Sequence, residues 1–587
     1  MRKQTKLVAV LSTAALLAIG ASMTSFAATG WVEEDGTWVY YNRDEERATE
    51  EWKKSGDNWF WLDDNGEMAV DQLIEDDDDY YYVNEAGAMV SNQWVAIENE
   101  DAGEEDEPDA YWYYFQANGK AYKRSDNASE TSISAKTING KKYAFDEEGK
   151  MLYGWVSGGE RETDDDAWKN ADYYFGDEND GAMSLGWRQI SIVDDEYEDL
   201  QPGDEFWDED QDRWFYFQTS GKKVKADVDK DENLKTKTIN GRKYGFDEYG
   251  RMIGNWYTEA TAVNAEGTTS IADETVKQGD PLYSSSFMYF SDPEDGARVT
   301  KGWFKVVPGY YLQEGKYNDD DEYWYYADGD GELYANEIKT IKGKKYAFDN
   351  YGRMIDGLAL LEMMPKDEDD PSKGYDSTEI YQKWDDDSDY NYETEDDFDD
   401  LVSEHADKFS TGEFRFYYFG DGDDGAMKTG KQTVDIDGDN FSFKFKDSSS
   451  TKGAGIHGED DHKLYMAGKL VEADSDDKYQ VVVYTETKAG VINMVKMDAD
   501  EFLSSSYIAK EETNDDGDVT WTVADDASFT MTSAKKEEAA DNDIVERHLY
   551  LVNTSGSMVK NKSAAKDGED YKFNVDDSEI VSVTLED

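Results

Sequence analysis

The chain has 587 residues, 38% of them hydrophobic and 14% aromatic, with 41 Tyr, 17 Trp, no cysteine and a formal net charge of −75. A polyanion of this kind repels nucleic acid and anionic lipid and favours cationic partners, and without cysteine it has neither disulfide staples nor thiolate chemistry. So many rings beside so few aliphatic residues must form either the core or the binding surface.

In chain order, the first feature is an apolar run over 7–21, preceded by Arg2, Lys3 and Lys6 and followed by Ser25-Phe26-Ala27. It reads as a secretory signal peptide, 1–27, cut after Ala27. The run is too short to span a membrane, so the chain is expected to be exported without membrane insertion. Next come "GWVEEDGTWVYYN" (30–42), "EWKKSGDNWFWLDDNGEM" (51–68), "DDYYYVNEAGAM" (78–89), "QWVAIENE" and "YWYYFQANGKA" (111–121). Alternation of polar and aromatic residues marks half-buried strands, and the Gly-containing gaps mark turns.

One passage is written three times: "KTINGKKYAFDEEGKMLYGW" (136–155), "KTINGRKYGFDEYGRMIGNW" (237–256) and "KTIKGKKYAFDNYGRMIDGL" (339–358). Within each, "KKYAF" or its equivalent reads as a strand, Gly149, Gly250 or Gly352 as the turn, and the following "KMLYGW" as a second strand. Each unit is then a β-hairpin, marginal alone and stable when stacked. From Trp94 onward three hairpin types recur in order, so the period of roughly a hundred residues is a triplet of units. The acidic text between them reads as exposed loops. Two insertions, 257–286 and 359–413, are expected to separate halves of would-be sites, and "FDDLVSEHADKF" within the second reads as a short helix. From residue 431 the pattern loosens, and 431–587 is read as diverged repeats, a β-rich cap, or a separate adhesive module. The end, "VSVTLED", carries no wall-sorting motif or apolar tail, so any surface attachment is expected to be non-covalent.

The pattern G-W, a polar gap, W/Y-Y-Y-F, a Gly turn and G-x-M resembles the bacterial cell-wall-binding or choline-binding repeat family over 28–430. The resemblance implies an all-β, elongated solenoid of stacked hairpins with ligand sites between successive hairpins. In choline-binding members those sites are cages of Trp and Tyr. Carried onto this chain, the G-W tryptophans are Trp31, Trp155, Trp187 and Trp303, with Trp52, Trp94 and Trp256 in the same place without the glycine. Tryptophans of the next strand are Trp38, Trp59, Trp112, Trp214 and Trp324, and Tyr143, Tyr244 and Tyr346 supply a third wall. Leu73 and Leu358 stand where Trp is expected, and Lys431 follows Gly430 where another would be.

A quaternary ammonium donates no hydrogen bond and is held by ring faces at about 0.5–2 kcal/mol each, and repetition along a polymer turns weak sites into strong retention. The expected partner is a cell-wall teichoic acid or another wall glycan, with diffuse divalent cations at the acidic surface and no cofactor. The alternative keeps the rings as core and makes the chain an adhesin or scaffold whose acidic loops meet partners.

Other candidates are weaker. "DVDKDE" (227–232) and "DIDGDN" (435–440) have alternating acids but lack the glycine and glutamate spacing of an EF-hand. "HGEDDH" (457–462) spaces its histidines unlike a zinc site. No unrepeated segment offers an enclosing cleft for paired carboxylates, so the chain is read as non-enzymatic.

Overall fold

The computed structural model describes residues 29–104, 107–125, 133–194, 211–230, 232–258, 268–271, 274–384, 390–474, 476–515, 517–567 and 571–585. The expected leader, 1–27, and Asp231 of the first acidic series lie outside them. The chain divides after Ile253 into two units.

The first unit is a series of antiparallel hairpins, two-stranded except where Gly154–Ser157 pairs with both Glu160–Arg161 and Tyr173–Phe175. Gly30–Glu34 pairs with Thr37–Tyr41, Glu51–Ser55 with Asn58–Leu62, Gln72–Asp76 with Asp79–Val83, and Gln93–Glu98 with Ala110–Phe115. Gly186–Ser191 with Asp212–Phe217, and Lys235–Ile239 with Arg242–Phe246, continue the plan.

The structure moves the hairpin inside the thrice-written passage. Lys136–Ile138 pairs with Lys141–Tyr143 about Asn139-Gly140, whose φ values are 50° and 84°. A two-residue hairpin turn that matches strand twist needs both central residues at positive φ, which Asn-Gly adopts readily. Glu147-Glu148-Gly149 instead forms a second turn, in which Asp146 Oδ1 accepts the N–H groups of Glu148 and Lys150 at 3.0 and 2.7 Å. Only a single bridge, Phe145 to Met151, follows it, and Trp155 already belongs to the next hairpin, in Gly154–Ser157.

The G-x-M methionine joins one unit to the next. The N–H groups of Met89, Met151 and Met252 donate at 2.8 Å to the carbonyls of Trp59, Trp112 and Trp214 in the preceding hairpins. The Met side chain then lies on the turn glycine of the following unit. A Cβ on Gly119 would stand 2.4 Å from Met89 Sδ, and one on Gly221 2.3 Å from Met183 Sδ. Both glycines also sit at positive φ, 84° and 87°, where a side chain is strained, so the turn conformation and the methionine packed on it together favour glycine.

The second unit begins with the same plan and then widens. Asn255–Thr258 pairs with Phe287–Phe290, Gly302–Val306 with Tyr323–Ala327, and Glu337–Ile341 with Lys344–Phe348. The hairpins close across both insertions. Trp256 pairs directly with Tyr289, and Leu358 with Tyr418, across the inserted text, because ladder hydrogen bonds close a long loop as well as a short one at a modest entropic cost. The second insertion adds the strand Tyr375–Trp384 beside Leu358–Pro365 and two helices, Glu395–Glu404 and Ala406–Thr411. The hydroxyl of Thr394 caps the first by accepting the Asp397 N–H.

Beyond Gly430 lie a five-, a four- and another five-stranded antiparallel sheet. Phe398, Phe416, Phe443, Phe445 and Val482 share one core there, and Leu549, Leu551, Phe573 and Val583 a second. The segment "DIDGDN" contains the turn Asp437-Gly438 between Gly430–Ile436 and Asp439–Phe445. In "HGEDDH", Asp461-His462 is likewise a hairpin turn at positive φ. His457 is held by backbone: its Nε2 bonds the Ile492 carbonyl at 2.9 Å and its Nδ1 accepts the Ala467 N–H at 3.3 Å. Among the described residues no group of three or more His, Cys, Asp or Glu could hold a metal ion, and no helix is long and apolar enough to cross a membrane.

Candidate functional site

Period-two alternation puts two of the expected aromatics and a cross-strand tyrosine on one face of a hairpin. Trp94, Trp187 and Trp303 stand opposite Tyr114, Tyr216 and Tyr326 in register, and Trp112, Trp214 and Trp324 lie two residues earlier on that second strand. The next hairpin, the one in the thrice-written passage, turns a Tyr and a Phe toward the same space.

The result is one constellation built three times. Ring centroids of Trp94, Trp187 and Trp303 lie 4.9, 4.8 and 4.8 Å from those of Tyr143, Tyr244 and Tyr346, at 64°, 67° and 65°. The cross-strand tyrosines lie at 5.2, 5.1 and 5.1 Å. Phe145, Phe246 and Phe348 stack beneath each indole at 5.8, 5.7 and 5.7 Å. Trp187 meets Trp214, and Trp303 meets Trp324, nearly perpendicularly at 6.3 Å. Edge-to-face packing of this kind is a favourable ring geometry, and it leaves the two indoles as adjacent walls. All six tryptophans are half-buried, whereas Phe246 and Phe348 are fully enclosed. The floor is therefore core and the walls reach water. At the third cluster an anionic group joins the rim: the Trp324 indole N–H donates to Asp423 at 3.3 Å, which also meets Lys305 at 3.5 Å.

The N-terminal hairpins build looser versions. Trp31 packs on Tyr40 and Phe60 at 5.4 and 5.3 Å, with Trp38 half-buried on the second strand. Trp52 packs on Trp61 and Tyr81 at 5.3 and 5.1 Å, its N–H donates to Asp76 at 3.0 Å, and Trp59 is 41% exposed. Leu73, where Trp was expected, packs with Tyr82 and Phe115 as core.

Two expected sites are filled from within, although Trp155 and Trp256 are themselves half-buried like the six above. At Trp155 the residue standing where G-x-M has methionine is Lys223. Its ammonium lies 5.0 Å from the Trp155 ring and 5.7 Å from Phe215 and donates to the Trp168 carbonyl. Burial pushes this ammonium down to about 7 from 10.5. Asp172 occupies the place of the second tryptophan and pairs with Lys222 at 3.0 Å. Trp168, from the inserted helix Ala167–Asn170, covers the cluster and is itself 2% exposed. At Trp256 the indole N–H donates to the Val307 carbonyl at 2.8 Å, and Gly309 lies so close that a Cβ there would meet the ring at 3.0 Å.

Sequence reading missed the cross-strand tyrosines, the stacked phenylalanines and Lys223. The first two were legible as same-face partners in a period-two strand. Lys223 was legible only as a lysine in a column of methionines.

Fold and clusters together define an all-β hairpin-repeat protein carrying a recurrent aromatic site between units. No protein-family model matches the chain. Among curated proteins it is similar to glucosyltransferase-S of Streptococcus mutans serotype c, 26% identical over 279 residues, covering 42% of this chain and 16% of that protein. The chain thus spans about a sixth of the length of the curated relative it matches. Among solved structures it is similar to the modular autolysin LytC of Streptococcus pneumoniae bound to a synthetic peptidoglycan ligand, with 16% identity, TM-score 0.28, and 58% of this chain and 56% of that one covered. It is also similar to choline binding protein F of Streptococcus pneumoniae, crystallised with a peptidoglycan analogue, at 18% identity and TM-score 0.23, covering 57% of this chain and 100% of that one.

Proposed function

We propose that this chain is an exported, non-catalytic protein that binds a cell-wall polymer bearing quaternary ammonium groups, choline in the first instance, in the open clusters between hairpins. The observation that carries this reading is the threefold recurrence of one constellation, with Trp–Tyr separations of 4.9, 4.8 and 4.8 Å. Packing a core does not require the same ring geometry three times. Presenting the same ligand site to a repeating polymer does. A cation with no N–H donor is stabilised by the faces of Trp and Tyr, at about 0.5–2 kcal/mol per ring. Each site alone is weak, and several engaged together hold a polymer far more tightly than one.

The scaffold reading applies to part of the set. Trp155 and Trp256, half-buried like the others, have their clusters filled by the chain itself and are assigned to the core. Binding is assigned to Trp94, Trp112 and Tyr143; Trp187, Trp214 and Tyr244; and Trp303, Trp324 and Tyr346, with Trp31, Trp38, Trp52 and Trp59 as lesser sites. The test is retention of the chain on purified cell walls, with free choline as competitor, for the parent and for Trp214→Ala and Trp324→Ala. Release by choline and weakened retention of the variants are expected. Retention that choline leaves untouched makes the ligand a saccharide, and no retention makes the rings scaffold.

A further inference from the structure

A second site shares no residue with the aromatic clusters and has the opposite charge preference. Between the helix Ala406–Thr411, the strand Phe414–Tyr418 and the segment around His457 is a cavity of about 220 Å³. Its lining holds Arg415, Lys446 and His457, the hydroxyls of Ser410, Thr411 and Thr451, and several glycines, and not one carboxylate. In a chain with 135 Asp and Glu against 60 Lys and Arg, a pocket with two cations and no acid is a strong local reversal.

The cations are also left without counter-ions. Arg415 is only 8% exposed. Its Nη1 donates to the backbone carbonyl of Asp376 at 2.8 Å, the Tyr417 side chain lies beside it, and among the described residues no carboxylate lies within ion-pair distance of it. The guanidinium rests against Gly412, where a Cβ would stand 3.3 Å from NH2. A buried charge is normally paired, because the desolvation of an unpaired one is costly. Lys446 follows the strand Asp439–Phe445 and has no side-chain partner among the described residues. Although it is an exposed residue, desolvation by its surroundings and then the nearby Arg415 hold its ammonium below the usual range. The two ring nitrogens of His457 are committed to the Ile492 carbonyl and the Ala467 N–H, and burial, then Lys446, lower its affinity for a proton.

We infer that this cavity binds a small phosphate-type oxyanion, held by the planar fork of Arg415 and the ammonium of Lys446. The Arg fork matches two oxygens of a tetrahedral anion, and Lys acts as a point charge beside it. The cavity is smaller than the roughly 300–1,000 Å³ of pockets for drug-sized ligands, which suits an anion with little attached to it. The ligand is either free inorganic phosphate or a phosphodiester unit of a larger molecule, and the two share this chemistry. The site does not depend on the aromatic clusters.

The test is an NMR titration of the full chain, reading the ring signals of its four histidines at fixed ionic strength set with chloride. Inorganic phosphate is one arm and dimethyl phosphate the other. Saturable shifts of His457 alone, with a rise in its pKa as the added anion favours the imidazolium, are the expected result. Binding in the first arm only identifies the free ion, and binding in both identifies a diester-compatible site. Lys446→Met, which leaves the buried strand pairing untouched, is expected to weaken binding by roughly tenfold or more; Arg415→Met abolishes it if that variant folds. Shifts no larger than those in chloride, or Lys446→Met binding phosphate as the parent does, would overturn the inference.

Discussion

Replacing Lys223 by Met restores the residue that most other units carry at this position, and the consequence depends on pH in a calculable way. The folded chain holds the Lys223 ammonium down to about 7, against an ordinary value of 10.5. Below pH 7 the group is charged in both states and the full cost of burying that charge weighs on the fold. Between pH 7 and 10.5 the unfolded chain binds a proton that the folded chain does not, so stability rises with pH. Above 10.5 both forms are neutral and the dependence ends. At about 1.4 kcal/mol per pH unit, the parent gains about 2–3 kcal/mol from this group between pH 6 and pH 9.

The cation–ring contact with Trp155 and the bond to the Trp168 carbonyl are lost in the variant, which lowers its overall advantage but leaves this slope unchanged. Lys223→Met is therefore expected to be more stable than the parent at pH 6 and to lose about 2–3 kcal/mol of that advantage by pH 9. Urea unfolding of parent and variant at matched pH measures this, with hydrogen exchange over 212–226 locating the effect. Titrating groups that do not interact with Lys223 cancel in the difference. A difference that is constant from pH 6 to pH 9 would show that Lys223 is not a buried, proton-poor lysine, and the Trp155 cluster would then have to be counted among the open sites.

Further outcomes follow from the same geometry. Trp214→Ala removes one wall of an open cluster and is expected to weaken choline at that site by about 2- to 30-fold, one ring's share of the cation–ring energy, while calorimetry of Trp155→Phe gives the parental choline isotherm; equal losses in both variants would refute the division into open and closed sites. Gly119→Ala drives a Cβ into Met89 Sδ and is expected to cost about 1–3 kcal/mol, part of which Met89→Ala in the same chain recovers; strict additivity in urea midpoints would remove Met89 as the cause. His548 lies between Glu579 and Glu546 at 2.6 and 2.9 Å, and the bond to Glu579 chiefly raises its pKa above 6.5. Its stabilisation is then complete below pH 6.5 and is lost as pH rises through the raised value. His548→Gln is expected to flatten stability between pH 5 and 8, and an unaltered profile in thermal melts would count against the bridge.

Much of this architecture was legible in the residues. Alternating Tyr and Trp, Gly-bearing turns and the thrice-written passage identify hairpins because a strand has period two and a two-residue turn admits few residue types. The same alternation places Trp187, Trp214 and, from the next unit, Tyr244 toward one space. The hairpin boundary within the passage was misplaced because Asn139-Gly140 and Glu148-Gly149 both look like turns in one dimension. Only the first supplies two consecutive residues at positive φ, which strand pairing demands.

What the sequence determined by itself is the local unit: its strands, its rings and the methionine and glycine that join it to its neighbour. What only the tertiary structure decided is which clusters the chain fills with its own side chains. Trp155 and Trp187 stand in the same G-W context and are both half-buried, yet Trp168 and Lys223 pack on the first and not on the second. The covering groups come from segments 13 to 68 residues downstream, and Gly309 reaches Trp256 across 53. Strand periodicity is a short-range constraint that each residue satisfies with its immediate neighbours. Access to a ring is set by whatever part of the chain folds back onto it, and no local pattern encodes that.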